Sequence, residues 1–254
     1  MTVELLDTQC VCSASAERRK ANMESALSRG LPVAGKLPQH NRSLAIVGGG
    51  PSVSHDLDAL ALFAGEIWSV NGSLGWLNEC GIISEGHVLL DPEPMMARYV
   101  ENAPDWTTYY VASICDPAVF DALRERNVIV WHPGMADLKP PNRQGMIGGG
   151  PTVLSRAPML AFCLGYSDVH LFGADSSYEG ERHHVYDAPR DPAVAVELDG
   201  VTYDSCAVFV HQAAYFQQIS HFFQHHGAMF EIHGRGLGPA ILKAKMHGME
   251  DFAA

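Results

Sequence analysis

The chain has 254 residues, of which 47% are hydrophobic and 18% charged, and its formal net charge is −12 at pH 7. This length and apolar content suit one large α/β domain with a modest extension and exclude a largely disordered chain. The acidic balance argues against partners that are themselves polyanions, such as nucleic acid or an anionic membrane surface. No signal peptide and no membrane span are predicted, so we expect a cytoplasmic protein.

The first predicted element is a helix over residues 14–29, which Gly30 and Pro32 end as a C-terminal glycine and a following proline should. A linker follows it. We therefore predict a helical lead-in and linker over residues 1–40, and a single Rossmann-like domain over residues 41–254.

Short apolar runs then alternate with helical or turn-rich segments. The predicted strands are residues 44–47, 67–70, 87–90, 109–112, 128–131, 169–172 and 229–232. The predicted helices are residues 54–63, a short helix ending at Leu77, 117–126, 153–164 (interrupted near Pro158) and 212–224, with a polar loop over 132–150. This alternation indicates βαβ units, whose ligands bind beyond the carboxyl ends of the strands.

Residues 194–203 differ, because two apolar–polar runs flank Asp199-Gly200 and predict a β-hairpin with a type I′ turn. We expect this hairpin to form a flap over the site. The predicted fold class is thus α/β, with a doubly wound, mainly parallel Rossmann-like sheet, an N-terminal helical extension and a C-terminal hairpin flap.

A glycine-rich turn, Gly48-Gly49-Gly50-Pro51-Ser52, follows the first strand and opens a helix. Glycine lets the backbone approach a phosphate closely, and helix-end amides favour negative charge. The pattern recurs as Gly148-Gly149-Gly150-Pro151-Thr152. It is neither a dinucleotide fingerprint nor a Walker A loop. A nucleotide- or phosphate-binding site is predicted, with a purely structural turn as the alternative.

Polar side chains also follow the second and third strands. Asn71 could contact a base or ribose through its amide, or cap the next helix. Asp91 could hold a hydroxyl or a metal, or serve only as the turn residue before Pro92.

Asp175 ends the sixth strand, and a loop containing Tyr178, His183 and His184 follows it. This loop could bind substrate and supply an acid or base; an exposed polar loop is the alternative. Elsewhere, His221 and His225 lie four residues apart on a predicted helix, a spacing that metal ligands can use, although surface or packing histidines have the same spacing.

Four runs in this order, AIVGGGPSV, SVNGSLGWL, GIISEGHVLLDPEP and GGGPTVLSRAPMLAFCLGYSDVHLFGADSSY, resemble the MptE-like, motility-accessory-factor superfamily over about residues 17–235. The lead-in ERRKANMESALSRGLP is similar to its phage-type members. The superfamily is similar in fold to metal-independent bacterial sialyltransferases, which transfer a sugar from a cytidine-linked donor with inversion and use a histidine base.

The resemblance implies a role for each matched position. It places the nucleotide and donor phosphates at the two glycine turns, the ribose or leaving phosphate at Asp175 and Tyr178, and the base at His211, with His183 or His184 as the fallback. The candidate substrate-binding residues are Gly49, Gly50, Pro51, Ser52, Asn71, Asp91, Gly149, Gly150 and Thr152. The candidate catalytic residues are His211, Asp175, Tyr178, His183 and His184.

The leading hypothesis is an inverting, nucleotide-sugar-dependent glycosyltransferase that needs no cofactor and acts on an unidentified acceptor. One alternative is a Mg²⁺-dependent diphosphokinase of a pterin-like alcohol, with Asp91, Glu93 and Asp175 holding the ion. The superfamily's diphosphokinases carry an Asp-rich motif after the third strand, whereas this chain has one Asp and one Glu there. A non-catalytic nucleotide-binding protein is the third hypothesis, and exposed helices would allow a homo-oligomer.

Overall fold

The structure is a computed structural model that describes residues 14–141 and 144–249, with side chains as far as Ala244. It begins with helix α1 (Ala16–Ser28), whose N-terminus is capped by the Ser15 hydroxyl accepting the Arg18 backbone N–H at 3.2 Å. Gly30 follows α1 in the left-handed region (φ 66°). The predicted first helix and its glycine end are confirmed.

The remaining elements alternate along the chain. The strands are β1 (His40–Val47), β2 (Glu66–Val70), β3 (Gly86–Leu89), β4 (Thr108–Ala112), β5 (Asn127–Pro133), β6 (Met146–Ile147), β7 (Tyr166–Phe172), β8 (Val194–Leu198), β9 (Val201–Ser205) and β10 (Met229–Ile232). The helices are α2 (Leu57–Ala61), α3 (Ser73–Glu79), α4 (Pro117–Ala122), α5 (Val153–Cys163), α6 (Ala207–His225) and α7 (Leu237–Met249), with 3-10 helices at Pro51–His55 and Pro94–Val100.

Eight strands form one sheet in the order β10-β7-β1-β2-β3-β4-β5-β6, and neighbouring strands pair in parallel. The chain runs outward from β1 to β6 and then returns to β7 on the other side of β1. The strand order therefore reverses between β1 and β7, which is where a crevice opens in sheets of this kind. The predicted parallel, doubly wound sheet is confirmed, and the short strand β6 is an addition inside the predicted loop.

Strand β1 shows that both faces of the sheet are covered. Leu44 and Ile46 pack into the main hydrophobic core, whereas Ala45 and Val47 belong to a second one. Because alternate strand residues point to opposite faces, the continuous apolar run of β1 fits a strand buried on both sides.

The helical lead-in packs onto this domain. Met23 and Ala26 of α1 are buried in the main core, and the Ala34 backbone N–H donates to the Val130 carbonyl of β5 at 2.7 Å. In the described part of the chain, no helix combines the length and apolarity needed to cross a membrane.

Several helices differ from their predictions, and the simplest case is α4, which ends at Ala122, earlier than predicted. The predicted helix 54–63 divides into a 3-10 helix and α2. Helix α5 continues through Pro158, because that side chain and much of the helix are buried against the sheet and this packing outweighs one missing hydrogen bond. Helix α6 begins at Ala207, earlier than predicted, so that His211 lies inside the helix and not before it.

The predicted hairpin is confirmed as β8 paired antiparallel with β9, and Asp199 (φ 52°) and Gly200 (φ 76°) form the turn. Two positive φ angles in succession define a type I′ turn. The hairpin packs its apolar side chains, including Val196 and Tyr203, against a small cluster from α6 and α7.

Candidate functional site

A cavity of about 410 Å³ lies at the β1–β7 reversal, and segments that follow strands line much of it. These segments contribute Gly49 after β1, Asn71 after β2, Asp91 after β3 and Ser176 after β7. The first turns of α5 and α6 also line it. The lining residues include none from the β8–β9 hairpin.

The first glycine turn has no room for side chains. An ideal Cβ on Gly49 would lie 2.5 Å from both His184 Cδ2 and Tyr186 Cε1, and one on Gly50 would lie 2.7 Å from Asp175 Cγ. Contacts that short do not occur in real structures, so these glycines allow His184 and Tyr186 to close over the turn.

The backbone amides of this turn are largely engaged within the protein. The Gly48 N–H donates to the Phe172 carbonyl and the Gly50 N–H to the Gly173 carbonyl, both at 2.8 Å. The Ser52 N–H donates to Asp175 Oδ2 at 2.8 Å. These bonds fasten the end of β1 to the end of β7, so the Gly50 and Ser52 amides are not the open phosphate donors that the sequence predicts.

The second glycine turn supports the cavity without lining it. An ideal Cβ on Gly149 (φ 126°) would lie 2.8 Å from the Ser155 carbonyl, and one on Gly150 would lie 2.7 Å from Ser155 Oγ. Both glycines therefore pack tightly against α5, while Pro151 and Thr152 after them reach the cavity.

Helix α5 starts at the cavity with a reciprocal cap. Thr152 Oγ1 accepts the Ser155 N–H at 3.2 Å, and Ser155 Oγ accepts the Thr152 N–H at 3.1 Å. The first amides of a helix have no partner within it, and they attract anions. Val153 and Leu154 at this helix start line the cavity, as does Arg156, whose Nε donates to the Gly150 carbonyl at 2.9 Å. This wall is suited to a phosphate.

Asn71 and Asp91 form a polar corner of the cavity. Asn71 Nδ2 donates to Asp91 Oδ2 at 3.3 Å, and burial raises the pKa of the Asp91 carboxyl. Asn71 Oδ1 is buried and has no hydrogen-bond partner among the described residues. Asn71 (φ 48°) and the cavity residue Ser176 (φ 51°) both have left-handed backbone, which is uncommon outside glycine and concentrates at functional sites.

Asp175 lies behind the first turn and does not line the cavity. Ser52 donates to both of its oxygens, from the backbone at 2.8 Å and from the hydroxyl at 2.5 Å. Burial raises the pKa of Asp175 to about 6 despite these bonds. Asp175 and its partner Ser52 therefore position the turn, as does the buried Pro51, and none of the three lines the cavity.

His183 and His184 both line the cavity, as predicted. Burial lowers the pKa of His184 to about 4, with the neighbouring His183 as a smaller cause, so His184 is neutral at pH 7. His184 Nδ1 is buried without a hydrogen-bond partner in the described chain. His183 Nε2 lies 2.9 Å from the Ala188 carbonyl and 3.0 Å from the Pro189 carbonyl, which assigns its proton to that nitrogen.

Tyr178 and His211 do not line the cavity. The Tyr178 hydroxyl donates to the Asp191 carbonyl at 2.9 Å, and its pKa is raised by burial. In α6 the residues that line the cavity are Val208, Phe209 and Gln212, and helical periodicity turns His211 to the flank of that face. The early start of α6 places His211 inside the helix, where the sequence predicts a position before it.

Several cavity residues were not identified from the sequence, and the polar ones include Gln212 and Arg156. Gln212 is only 4% exposed, and it accepts a hydrogen bond from Thr152 Oγ1 at 2.5 Å and donates one to Ser176 Oγ at 2.9 Å. Its signal is an amide that shares the helical spacing of apolar residues such as Phe216. Arg156 could have been found as the cation in the first turn of a helix that follows a glycine turn.

The three carboxylates proposed to hold Mg²⁺ do not converge. Glu93 lies 3.4 Å from the Arg18 guanidinium, and Asp175 is held by Ser52. In the described ranges, Asp91, Glu93 and Asp175 do not bring ligand oxygens within 4.8 Å of one another.

Comparison with known proteins places the chain in a family. A sequence profile described as "6-hydroxymethylpterin diphosphokinase MptE-like" matches residues 20–181, which is more than half of the chain. The chain belongs to the MptE-like family. The matched part of this MptE-like chain includes the first glycine turn, Asn71, Asp91, α5 and Asp175, and it ends before His183 and α6. The resemblance to phage-type members stays a prediction.

A solved structure similar to the MptE-like chain is the MAf glycosyltransferase from Magnetospirillum magneticum AMB-1, with a TM-score of 0.65 and 19% identity. The match covers 87% of this chain and 37% of that protein, so this chain spans little more than a third of its length. It establishes the shared fold. The yhdH oxidoreductase from Salmonella enterica in complex with NADP is 15% identical, with 61% and 52% of the two chains covered, but its TM-score of 0.20 is too low to indicate a common fold. No curated protein matches the chain.

Proposed function

We propose that this MptE-like protein is an inverting glycosyltransferase that uses a nucleotide sugar. The observation that carries the proposal is that one cavity combines the first turn of α5 and Arg156 with the buried acceptors of Asn71 and Asp91. The first pair suits the phosphate of a donor, and the second suits the hydroxyls of a ribose or sugar. The glycosyltransferase fold neighbour supports the same reaction class.

The chemistry follows from these positions. The leaving phosphate gains negative charge as the anomeric bond breaks, and the α5 amides and Arg156 stabilise that charge. The acceptor hydroxyl attacks the anomeric carbon from the opposite side, which inverts its configuration. Its proton passes to a neutral base, for which His184 is the best placed candidate because it lines the cavity and is deprotonated at pH 7.

A screen of nucleotides and nucleotide sugars by thermal unfolding tests donor binding. At a concentration a hundredfold above Kd, a ligand should stabilise the protein by about 2.7 kcal/mol. Arg156→Gln should lose most of the shift, whereas Arg182→Gln, a change of the same chemistry at an exposed position, should keep it. Equal shifts in both variants would contradict the phosphate site at α5.

Transfer activity tests the base. His184→Gln should lower the rate by about 10²- to 10⁴-fold, as expected for a general base. His211→Gln serves as the control because His211 is the base implied by family resemblance but lies on the flank of α6. A large loss of activity in His211→Gln with little loss in His184→Gln would identify His211 as the base.

The family description favours one other reaction, the Mg²⁺-dependent transfer of diphosphate to a pterin-like alcohol. Asp91 and the unpartnered Asn71 oxygen are oxygen ligands of the type that Mg²⁺ prefers. Activity that EDTA abolishes and Mg²⁺ restores would support this reaction, whereas the glycosyltransferase should be active in EDTA. A nucleotide that binds but never turns over would identify a non-catalytic binding protein.

A further inference from the structure

A second group of polar side chains lies outside the cavity, on β7 and the neighbouring edge strand β10. Alternate residues of a strand point to the same face, so Asp168 and His170 of β7 share a face, as do Glu231 of β10 and His233 just after it. His170 and Glu231 are register partners, and the His233 backbone N–H donates to the Leu171 carbonyl at 2.8 Å. The polar side chains of the two strands therefore lie next to one another.

Their ligand atoms converge. His170 Nδ1 lies 2.9 Å from His233 Nε2 and 3.6 Å from Glu231 Oε2. One ligand atom from each of these three residues lies within 4.8 Å of the other two. Two nitrogens bound to a tetrahedral zinc ion at about 2.1 Å lie about 3.4 Å apart. A small outward movement of the two rings would therefore admit an ion.

The surroundings orient these ligands. Asp168 Oδ1 is buried and lies 3.1 Å from His170 Nε2, close enough for an ion pair but outside hydrogen-bond geometry, and the Ser43 hydroxyl donates to the other oxygen of Asp168. Metal-binding histidines characteristically donate the second ring N–H to a carboxylate, which fixes the tautomer and the ring orientation. A small rotation of the His170 ring would complete such a bond to Asp168, and in that tautomer the Nδ1 lone pair is directed at the cluster. His233 is held by stacking on Phe172, with ring centroids 4.4 Å apart and planes 12° apart.

We propose that His170, His233 and Glu231 bind a divalent transition-metal ion of the zinc type. Two imidazoles and one carboxylate are a ligand set that zinc favours. The Glu231 side chain is 54% exposed, so an ion can reach the three ligands from water. The ion fastens edge strand β10 to β7 and stabilises that end of the sheet, away from the cavity.

The test uses the full chain without an affinity tag, freed of metal by chelation and then titrated with Co²⁺ and Zn²⁺. We expect one ion per chain, visible Co²⁺ absorption bands that Zn²⁺ displaces, and a higher Tm with Zn²⁺. Because Glu231 is partly exposed, Glu231→Gln should weaken metal binding at least tenfold without unfolding the protein. Asp168→Asn should weaken it by about 10- to 100-fold while keeping one ion per chain.

The matched control is the double variant His221→Ala/His225→Ala, which removes two exposed histidines four apart on α6. It should bind as the wild type does. Glu231→Gln should also keep the nucleotide-sugar-induced shift in Tm, which separates this site from the proposed function. Absence of Co²⁺ uptake by the wild type, unchanged binding in Glu231→Gln, or loss of binding in the α6 variant would overturn the proposal.

Discussion

Asp175 makes stability depend on pH in a direction that its environment sets. Burial raises its pKa from the usual 3.8 to about 6, so the folded state holds the proton more tightly than the unfolded state. The contribution of protonated Asp175 to the free energy of unfolding is therefore fully present below pH 4. It is lost as the pH rises through about 6, and the total loss is roughly 3 kcal/mol.

Asp175→Asn removes this ionisation. Urea unfolding of both proteins at several pH values from 4 to 7 should show the wild type losing stability relative to the variant as the pH rises. Other titrating groups cancel in the difference. Parallel curves would mean that Asp175 ionises normally in the folded protein.

A substitution at Gly49 tests how closely the first glycine turn packs against the rings of His184 and Tyr186. In Gly49→Ala the new methyl group would meet His184 and Tyr186 at 2.5 Å, so the rings must move and the cavity must change shape. We expect a loss of about 1–3 kcal/mol in stability and at least tenfold in nucleotide-sugar affinity. Gly75→Ala in α3 is the control, because its Cβ would have open space. It should stabilise the helix by about 0.5–1 kcal/mol without changing affinity.

The sequence predicts cavity residues well where they directly follow a strand. Gly49, Gly50, Asn71 and Asp91 come immediately after apolar runs, and parallel strands bring all their carboxyl ends to one edge. The sequence predicts less accurately which residues on helices face the cavity. Whether His211 or Gln212 faces the cavity depends on where α6 begins, and one residue turns a helical side chain by about 100°.

At the scale of elements, Thr152 at the start of α5 both caps the helix and lines the cavity, so one substitution there should change stability and ligand binding together. Thr152→Ala removes the N-cap and should cost about 1 kcal/mol of stability. It should also weaken nucleotide-sugar binding, because the helix start lines the cavity. Thr152→Ser keeps the hydroxyl and should restore both properties.

Asp116 supplies a matched cap on another helix. Its Oδ1 accepts the Ala118 N–H at 3.0 Å at the start of α4, and it does not line the cavity. Asp116→Ala should lose similar stability in thermal unfolding while leaving ligand affinity unchanged. Equal effects of the two variants on affinity would show that α5 acts only through global stability.

Element types were predictable because they depend on local pattern, whereas the limits and continuity of several helices were not. Pro158 predicts an interruption, yet α5 is buried on the sheet along most of one side and continues. The type I′ hairpin was predictable because Asp199-Gly200 specifies its turn locally. Its packing against α6 and α7 depends on contacts that no local pattern contains.

At the scale of the whole molecule, the cavity exists because the chain returns to β7 beside β1 after building the other half of the sheet. Gln212 joins the parts that meet there, since it links Thr152 at the start of α5 to Ser176 after β7 from its own position on α6. All three residues line the cavity. Losing this link should therefore affect both folding and binding.

Gln212→Leu keeps the size of the side chain but leaves the hydroxyls of Thr152 and Ser176 without their partner. An unsatisfied buried polar group costs about 1–3 kcal/mol, and we expect a loss of that size in urea unfolding together with weaker nucleotide-sugar binding. Gln218→Leu makes the same change at an exposed position of α6 and should stay within about 0.5 kcal/mol of the wild type. If Gln212→Leu matches that control in both measurements, the three segments hold together through apolar packing alone.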